Sequence, residues 1–377
     1  MIQKNKFIIP LHKTYWGKEE ERAAVAALRS GTGIGDLSFS KELARKLARF
    51  LGIKYVLPTA SGTAALELAC ACLLKRGHEV IMPSFTFSSC ANAALLVGAK
   101  PVFCDIDINT YNIDPVEIEK HITKKTRAIM VVHYAGFAAD MKKILEIAKK
   151  HNLFVIEDAA HALGAKYKGQ YLGTLGAVGC FSFHGTKNAA SGEGGAFVTN
   201  DPKIFRLAEV VREKGTNRSS FIRGERKKYS WVGVGRSLVL SDILSAIALE
   251  QVKKLEQITT LRQKAAQYFL KKLGVLSSKI ILPKESADSE GNWHIFAIRV
   301  PKVSRANVIK ELRNYGIEAS FHYLPLHSSQ MGKKIGPVGE KLPVTEEIAA
   351  TLIRLPIHPK LKKSEIDYIV AALEKII

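Results

Sequence analysis

Between residues 64 and 200 the chain alternates short apolar runs with helix-like segments, and this order constrains the fold more than any other feature. Strands that alternate with helices form βαβ units, in which the strands are parallel and buried on both faces. The sequence therefore predicts an α/β protein built on a large, mostly parallel sheet. The predicted strands span residues 79–82, 101–104, 128–133, 153–156, 178–183 and 196–199.

The flanking regions predict an N-terminal arm and a second domain. A chain of 377 residues is longer than one typical hydrophobic core requires. We expect a large domain over residues 1–250 and a smaller C-terminal α+β domain over residues 251–377. Outside the sheet, helices are predicted over residues 18–29, 40–51, 202–213, 241–272 and 305–315, with a strand over 293–300 and two helices near the C-terminus.

Composition favours a soluble globular protein, with 47% hydrophobic and 24% charged residues. No apolar run approaches the ~20 residues that a membrane helix needs, and the first residues lack the core of a signal peptide. We therefore expect a cytoplasmic protein that contacts no membrane. No two cysteines have Cys-x-x-Cys spacing, so we expect reduced thiols and no metal site. The cysteines are Cys70, Cys72, Cys90, Cys104 and Cys180.

The net charge of +21 is compatible with nucleic-acid binding. Most of the basic residues are spread over amphipathic segments, however, and no recognisable nucleic-acid motif accompanies them, so we expect no nucleic-acid partner. One basic cluster lies in a glycine-punctuated loop, where it suits either a pyrophosphate or simple solvation of an exposed loop. The cluster consists of Arg212, Lys214, Arg218, Arg223, Arg226, Lys227 and Lys228.

Lys187 lies between the apolar run 178–183 and the glycine-rich segment 192–195. Glycines allow the backbone to approach a bulky ligand or to take positive φ angles. A lysine amine can attack a carbonyl and form a Schiff base, as pyridoxal phosphate lysines do. For a lone lysine beside a loop, a surface charge is the better interpretation, so the assignment depends on what other segments supply.

Asp158 ends the apolar run 153–158, where a buried strand would open onto a site. Ligands of open α/β sheets bind at the carboxyl ends of the strands. A carboxylate there can keep the pyridine nitrogen of pyridoxal phosphate protonated, which improves the ring as an electron sink. The alternative is that Asp158 is a helix N-cap or a turn residue.

Ser61, Gly62 and Thr63 precede an alanine-rich helix that is predicted to begin near Ala64. Unpaired amides at a helix N-terminus, with hydroxyl groups beside them, suit a phosphate. A simple serine or threonine cap is the alternative.

Together these segments resemble the DegT/DnrJ/EryC1/StrS sugar aminotransferase family of fold type I pyridoxal phosphate enzymes, over nearly the whole chain. The motifs that carry this resemblance are residues 61–66, 157–165, 181–188 and 192–195. Further motifs resemble one branch, the dTDP-4-amino-4,6-dideoxygalactose transaminases; they are residues 82–87, 132–136, 212–219 and 321–327.

The resemblance implies a pyridoxal phosphate site. Lys187 would form the Schiff base and Asp158 would meet the pyridine nitrogen, while Phe87 would stack on the ring unless it is plain core. His161 replaces a glutamine that many members carry beside the phenolic oxygen of the cofactor. The phosphate would be held by Ser61, Gly62, Thr63 and Ser182.

The resemblance also implies a homodimer with a shared active site. Ser237 stands where many members carry an asparagine that reaches the phosphate in the partner subunit, and a serine also occurs in the branch named above. Substrate contacts from His322, Tyr323 and His327 are also implied by the resemblance. From the charge of the basic loop, we expect Arg218 and Arg223 to contact the pyrophosphate of the substrate. For the three residues of the segment 321–327, packing between strand and loop is the alternative.

The implied reaction transfers an amino group from L-glutamate to a nucleotide-linked 4-keto-6-deoxy sugar, converting dTDP-4-keto-6-deoxyglucose to dTDP-4-amino-4,6-dideoxygalactose. Three alternatives remain: another keto nucleotide sugar, a sugar dehydratase, and a non-catalytic basic nucleic-acid-binding or regulatory relative. Dehydratase relatives carry histidine in place of the Schiff-base lysine, so Lys187 argues against the second. The intact Lys187 and Asp158 argue against the third. The sequence does not determine the stereochemistry of the sugar or the position that is aminated.

Overall fold

The computed structural model describes residues 8–31, 34–336 and 341–377. Its strands are β1 (Tyr55–Thr59), β2 (Glu79–Pro83), β3 (Lys100–Cys104), β4 (Thr126–Val132), β5 (Phe154–Asp158), β6 (Lys166–Tyr167), β7 (Gln170–Tyr171), β8 (Val178–Ser182), β9 (Gly195–Thr199), β10 (Ser289–Glu290), β11 (Phe296–Arg299) and β12 (Leu352–Leu355).

The helices of these described ranges are α1 (Lys18–Arg29), α2 (Ser38–Leu51), α3 (Gly62–Leu73), α4 (Ser88–Leu95), α5 (Pro115–Lys120), α6 (Met141–His151), α7 (Pro202–Arg212), α8 (Arg218–Ile222), α9 (Asp242–Lys253), α10 (Leu255–Leu273), α11 (Arg305–Asn314), α12 (Gly332–Ile335), α13 (Pro343–Thr351) and α14 (Lys363–Ile376). Short 3-10 helices span Tyr134–Gly136 and Gly274–Leu276. Within these ranges, no helix is long and apolar enough to cross a membrane.

The central sheet has seven strands in the order β1-β9-β8-β5-β4-β2-β3. All neighbouring pairs are parallel except those of β9, which runs antiparallel to both β1 and β8. The predicted α/β class with a mostly parallel sheet is therefore confirmed, and the six predicted strands correspond to β2, β3, β4, β5, β8 and β9. Strand β1 was missed because Pro58 interrupts its apolar run, and proline is tolerated at a sheet edge such as this one.

Helices cover both faces of the central sheet. Because successive strand residues point to opposite faces, Val80 packs on the side of α3, α4 and α7, and Ile81 packs on the side of α2, α6 and α9. A third core lies in the C-terminal part, where β11 and β12 pair and pack with α10, α11 and α14. The division at residue 250 stays a prediction.

The single helix predicted over residues 241–272 is wrong. Helix α9 ends at Lys253 and α10 begins at Leu255, with Lys254 between them at φ −92° and ψ 0°. Buried residues of α9 pack in the core of the central sheet, whereas most buried residues of α10 from Ala265 onward pack in the C-terminal core. The predicted helices over 18–29, 40–51, 202–213 and 305–315 correspond to α1, α2, α7 and α11, with ends that differ by two residues or fewer.

Strands β1, β5 and β8 run in the same direction, so their carboxyl ends meet at one edge of the sheet. Asp158 ends β5 and Ser182 ends β8, while Ser61 follows β1 by two residues. The fold therefore gathers three of the predicted site segments in one place.

Candidate active site

A cavity of about 340 Å³ lies at this edge of the sheet, between the central sheet and the C-terminal part. It collects most of the residues that the sequence singled out. The predicted residues that line it are Ser61, Gly62, Thr63, Phe87, Asp158, His161, Ser182, Lys187, His322 and Tyr323.

Lys187 projects into the cavity from the loop between β8 and β9. The glycines of this loop are needed for its turns, since Gly192 has φ +92° and Gly194 has φ +142°. The N-terminal arm braces the loop, because the hydroxyl of Thr14 donates to the carbonyl of Gly185 at 3.0 Å. The Lys187 side chain is thus presented from a well-supported turn.

Burial lowers the pKa of Lys187 to about 8. The nearby Asp158 carboxylate partly opposes this shift, and the positive charge of Arg354 adds to it. A lysine with this pKa carries a substantial fraction of neutral amine near neutral pH, as a nucleophile or general base requires.

Asp158 is fixed by two hydrogen bonds. Its Oδ1 accepts from the amide of Ala160 at 3.0 Å, and its Oδ2 accepts from the Cys90 thiol at 3.1 Å. The side chain is buried, and the negative charge of Asp158 helps to raise the pKa of the Cys90 thiol, after burial itself. The carboxylate is therefore held at the base of the cavity with lone pairs left for a further donor.

The N-terminus of α3 forms one wall. The hydroxyl of Ser61 accepts from the amide of Ala64 at 3.0 Å, so Ser61 caps the helix. The amides of Gly62 and Thr63 precede the first intrahelical bond, from Ala65 to the Ser61 carbonyl. Capping and anion binding are thus compatible here, because these earlier amides point along the axis toward the cavity.

Gly62 is required by a close contact with β8. A Cβ atom at Gly62 would lie 2.8 Å from the Cβ of Ser182, well inside the normal contact distance. The helix end therefore packs directly on Ser182, whose hydroxyl accepts from the amide of His184 at 3.3 Å. This contact brings two sets of hydrogen-bond donors, the helix amides and the serine hydroxyl, to one point.

His161, which is buried, and Tyr323, which is half-buried, form a polar pair beside Lys187. The Tyr323 hydroxyl lies 3.4 Å from Nε2 of His161, and the His161 and His294 rings are 4.6 Å apart between centroids. Burial, followed by the charge of Lys187, lowers the pKa of His161 well below its ordinary value, so the ring is neutral. Its Nδ1 is buried without a hydrogen-bond partner among the described residues.

These groups fit pyridoxal phosphate. The α3 amides and the hydroxyls of Ser61 and Ser182 suit its phosphate, Asp158 suits a protonated pyridine nitrogen, and the unpaired Nδ1 of His161 suits the phenolic oxygen. Phe87 caps α4 at the rim of the cavity and is 61% exposed, so it is not plain core. Across the described ranges, no group of three or more His, Cys, Asp and Glu side chains is arranged to hold a metal ion.

The four remaining predicted residues do not line this cavity. Arg218 pairs with Glu213 at 2.7 Å, and Arg223 pairs with Glu209 and with Glu225. His327 is buried between the Ser84 hydroxyl, at 2.7 Å, and Glu346, at 3.2 Å. Ser237 is exposed, and its backbone pairs with that of Glu213 in an isolated antiparallel bridge. Arg212, counted with the basic loop, is buried and bonded to Asp36 and to the Pro58 carbonyl.

Sequence reasoning missed several cavity residues, chiefly His12, His294 and Arg354. Arg354 carried a usable signal, because it interrupts the otherwise apolar strand β12. His12 carried none, since an isolated histidine in an N-terminal arm has no local pattern.

Comparison with known proteins agrees with this geometry. Residues 15–374 match the DegT/DnrJ/EryC1/StrS aminotransferase family. The chain is 33% identical to the spore coat polysaccharide biosynthesis protein SpsC of Bacillus subtilis, over 100% of this chain and 99% of that protein. It is 32% identical to the GDP-perosamine synthase of Caulobacter vibrioides, over 90% of each chain.

A solved structure shows the same fold. The sugar aminotransferase Spr1654 of Streptococcus pneumoniae, in its PMP form, superimposes with a TM-score of 0.90 at 28% identity and covers 98% of each chain. The same protein is also known in a PLP form, with a TM-score of 0.90 and 27% identity. Family, fold and site together therefore show that the chain belongs to the DegT/DnrJ/EryC1/StrS aminotransferase family, the sugar aminotransferases that use pyridoxal phosphate.

Proposed function

We propose that this enzyme transfers the amino group of L-glutamate to a nucleotide-linked 4-keto-6-deoxy sugar, forming dTDP-4-amino-4,6-dideoxygalactose from dTDP-4-keto-6-deoxyglucose. The observation that carries the transaminase part is the convergence of Lys187, Asp158 and the N-terminus of α3 on one cavity. Support for a nucleotide sugar comes from the relative named for GDP-perosamine synthesis. The choice of dTDP-4-keto-6-deoxyglucose rests on the branch motifs, such as residues 321–327.

Binding of the cofactor would use groups already in position. The amides of Gly62 and Thr63, with the hydroxyls of Ser61 and Ser182, would hold its phosphate at the helix N-terminus. Asp158 would accept a hydrogen bond from the pyridine nitrogen, and His161 would donate one to the phenolic oxygen. When bound, pyridoxal phosphate supplies an electron sink that lets the α-proton of an amino acid leave.

Lys187 would then carry the proton. Released from the cofactor, its amine is desolvated and has a pKa near 8, so it can accept the α-proton of glutamate and return a proton to the neighbouring carbon. The amino sugar would form by the same transfers in reverse. His322 and Tyr323 line the same cavity and would contact the sugar.

The substrate assignment is tested by assaying the holoenzyme with L-glutamate and dTDP-4-keto-6-deoxyglucose, and in parallel with a GDP-linked 4-keto-6-deoxy sugar and a 3-keto nucleotide sugar. NMR of the product identifies the aminated carbon and its configuration. We expect an axial amine at C4 of the dTDP sugar. Faster amination of either other acceptor would replace the dTDP assignment, while no amination of any keto sugar would refute the function.

We further infer a homodimer in which the loop of residues 212–228 from one subunit helps to complete the other's site. Exposed apolar side chains support this, because Trp231 is 77% exposed and Val234 is 86% exposed just beyond the loop. Ser237 would reach the partner's phosphate, and Arg218 and Arg223 would bind the pyrophosphate of the sugar nucleotide. Arg218 and Arg223 would then contact the pyrophosphate while they stay paired with Glu213 and Glu209 of their own chain.

Neutralising Arg218 and Arg223 together should raise the KM for the nucleotide sugar and leave the glutamate half-reaction nearly unchanged, since glutamate carries no pyrophosphate. Mixing an inactive Lys187→Ala subunit with an inactive loop variant should restore activity, because one site of the mixed dimer would hold both intact parts. A monomer at assay concentration, or no complementation, would refute the shared site. A cytoplasmic location, where soluble substrates of this kind are available, stays part of the proposal.

A further inference from the structure

Arg354 is a buried cation that forms no ion pair with a carboxylate in the part of the chain that the structure describes. The charge of Glu318 reaches it and favours its charged form, but that carboxylate accepts its hydrogen bond from the amide of Leu11, at 2.8 Å. Arg354 lines the same cavity as Lys187 and is 8% exposed. Its Nη1 donates to Nε2 of His322, and its Nη2 donates to Nε2 of His12 at 3.1 Å. Burying a guanidinium is costly unless a carboxylate or phosphate compensates its charge.

The two histidines do not supply that compensation. Burial, followed by the charge of Arg354, lowers the pKa of His12 to about 3 and that of His322 to about 2, so both rings are neutral. Each ring accepts a bond from Arg354 through Nε2, which leaves its proton on Nδ1. Both Nδ1 atoms and the Nε of Arg354 are buried without a hydrogen-bond partner among the described residues.

The backbone holds Arg354 rigidly in this position. Its strand β12 pairs with β11, where Arg354 lies opposite Ala297. On the other side its amide donates to the carbonyl of Ser320 at 2.7 Å, two residues before His322. The guanidinium is therefore preorganised, and a ligand that binds it does not have to order the side chain first.

The position relative to Lys187 indicates what the guanidinium meets. Arg354 is close enough that its charge helps to lower the pKa of Lys187, after burial. The phosphate of the cofactor is already provided for at the N-terminus of α3. A second anionic group must therefore belong to a substrate, within a few bonds of the atom that reacts at Lys187.

We propose that Arg354, flanked by His12 and His322, is a carboxylate-binding site for a substrate of the aminotransferase reaction. A planar guanidinium matches a carboxylate with two parallel hydrogen bonds. This inference rests on the proposed function, because it assigns a substrate group to the same cavity. Two sources have the required chemistry, namely a carboxylate of the amino donor and a carboxylate on the acceptor sugar.

The test follows the two half-reactions separately in Arg354→Gln, by the absorbance change of the bound cofactor. The amino donors are L-glutamate, 2-aminobutyrate, which keeps only the α-carboxylate, and 4-aminobutyrate, which keeps only the γ-carboxylate. The acceptors are a keto nucleotide sugar with a methyl group at C5 and a keto nucleotide sugar with a carboxylate there. Arg313→Gln is the control variant, because it also removes one positive charge but lies on the exposed face of α11.

If the donor is the source, Arg354→Gln slows the reaction with L-glutamate by about 10- to 100-fold, the range of one charge-assisted pair, and leaves both sugars unaffected. An equal slowing with 2-aminobutyrate would show that Arg354 binds the α-carboxylate, and an equal slowing with 4-aminobutyrate would show that it binds the γ-carboxylate. If the sugar is the source, only the carboxylated sugar is slowed. Arg354→Lys should recover part of the lost rate, and Arg313→Gln should match the native protein.

Equal rates in Arg354→Gln and the native protein would overturn the proposal. An equal loss with every donor and both sugars would also overturn it, because it would indicate a structural role. An equal loss with both sugars and none with the donors would overturn it as well, because it would indicate binding of the pyrophosphate that the two sugars share. If Arg354→Gln fails to bind the cofactor, Arg354→Lys carries the same comparisons. The half-reaction with L-glutamate is measured without a sugar. It therefore tests carboxylate binding at Arg354 even if no keto sugar is aminated and the proposed function fails.

Discussion

Substitution of Gly62 by alanine tests the phosphate site at its closest contact. The new Cβ would lie 2.8 Å from the Cβ of Ser182 and 3.2 Å from its Oγ. Carbon atoms normally approach to about 3.5–4.0 Å, so the helix end or β8 must move by about 1 Å. Ser182 is paired with Gly195 within the sheet, and we therefore expect the N-terminus of α3 to move.

The movement should weaken phosphate binding more than it destabilises the fold. Overpacking of this size costs about 1–3 kcal/mol of folding free energy. Loss of one charge-assisted hydrogen bond to phosphate costs about 1.5–3 kcal/mol, which raises a dissociation constant by roughly 10- to 100-fold. A shift of the helix amides away from Ser182 should produce at least that loss.

The assay measures binding of pyridoxamine phosphate to the apoprotein by fluorescence, because this form of the cofactor makes no covalent bond with Lys187. Pyridoxamine, which lacks the phosphate, is the matched ligand, and its weaker affinity should be nearly unaffected by the substitution. Gly274→Ala is the control variant, since Gly274 has φ −54° and its Cβ would meet nothing within 4 Å. Urea denaturation gives the stability of each variant.

An unchanged affinity for pyridoxamine phosphate in Gly62→Ala, with the stability loss present, would refute this account of the phosphate site. An equal loss of affinity for pyridoxamine would also refute it, because the effect would then not depend on the phosphate.

Three further predictions concern Lys187 and Asp158. Lys187→Ala should abolish turnover, by loss of both the covalent link and the proton carrier, while circular dichroism shows an intact fold; full activity would exclude Lys187 from the mechanism. Asp158→Asn should lower turnover far more than stability, because the amide keeps the shape and the bond to Ala160 but not the charge; an unchanged rate would show that Asp158 does not serve the pyridine nitrogen. Attachment of pyridoxal phosphate to the apoprotein requires the neutral Lys187 amine, whose pKa is lowered to about 8, so its rate should rise with pH through 8 and level off above. Stopped-flow absorbance measures this rate, and a midpoint near the ordinary lysine value of 10.5 would contradict the buried environment.

The parts of the site that the sequence predicted are those with local patterns. Asp158 follows a buried apolar run, and Ser61 stands just before an alanine-rich helix. Each pattern fixes both an element and the end at which the polar residue lies. The parallel arrangement of the strands then brings the two residues together, since carboxyl ends of parallel strands share one edge.

The Arg354 cluster could not be predicted in this way. His12 and Arg354 are 342 positions apart and meet only because the N-terminal arm folds back over the C-terminal part. No local period or cap marks such a contact. The same reason explains β1, whose strand character is hidden by Pro58 and becomes evident only through its pairing with β9.

The ion pairs that form within the folded chain also could not be predicted from local sequence patterns. The sequence predicts Arg218 and Arg223 as unpaired cations in a loop. In the folded chain, Arg218 pairs with Glu213, and Arg223 pairs with Glu209 and Glu225. These carboxylates are close in sequence, but their reach depends on how the loop turns after α7. Their role toward a pyrophosphate therefore stays a prediction.

Reductive trapping of the cofactor tests the central claim most directly. The holoenzyme is treated with borohydride, digested and analysed by mass spectrometry, with a parallel sample given excess L-glutamate before reduction. We expect a phosphopyridoxyl group on Lys187 in the first sample and its near absence in the second, because the donor releases the lysine. A label on another lysine, no label at all, or a label unaffected by glutamate would contradict the central claim.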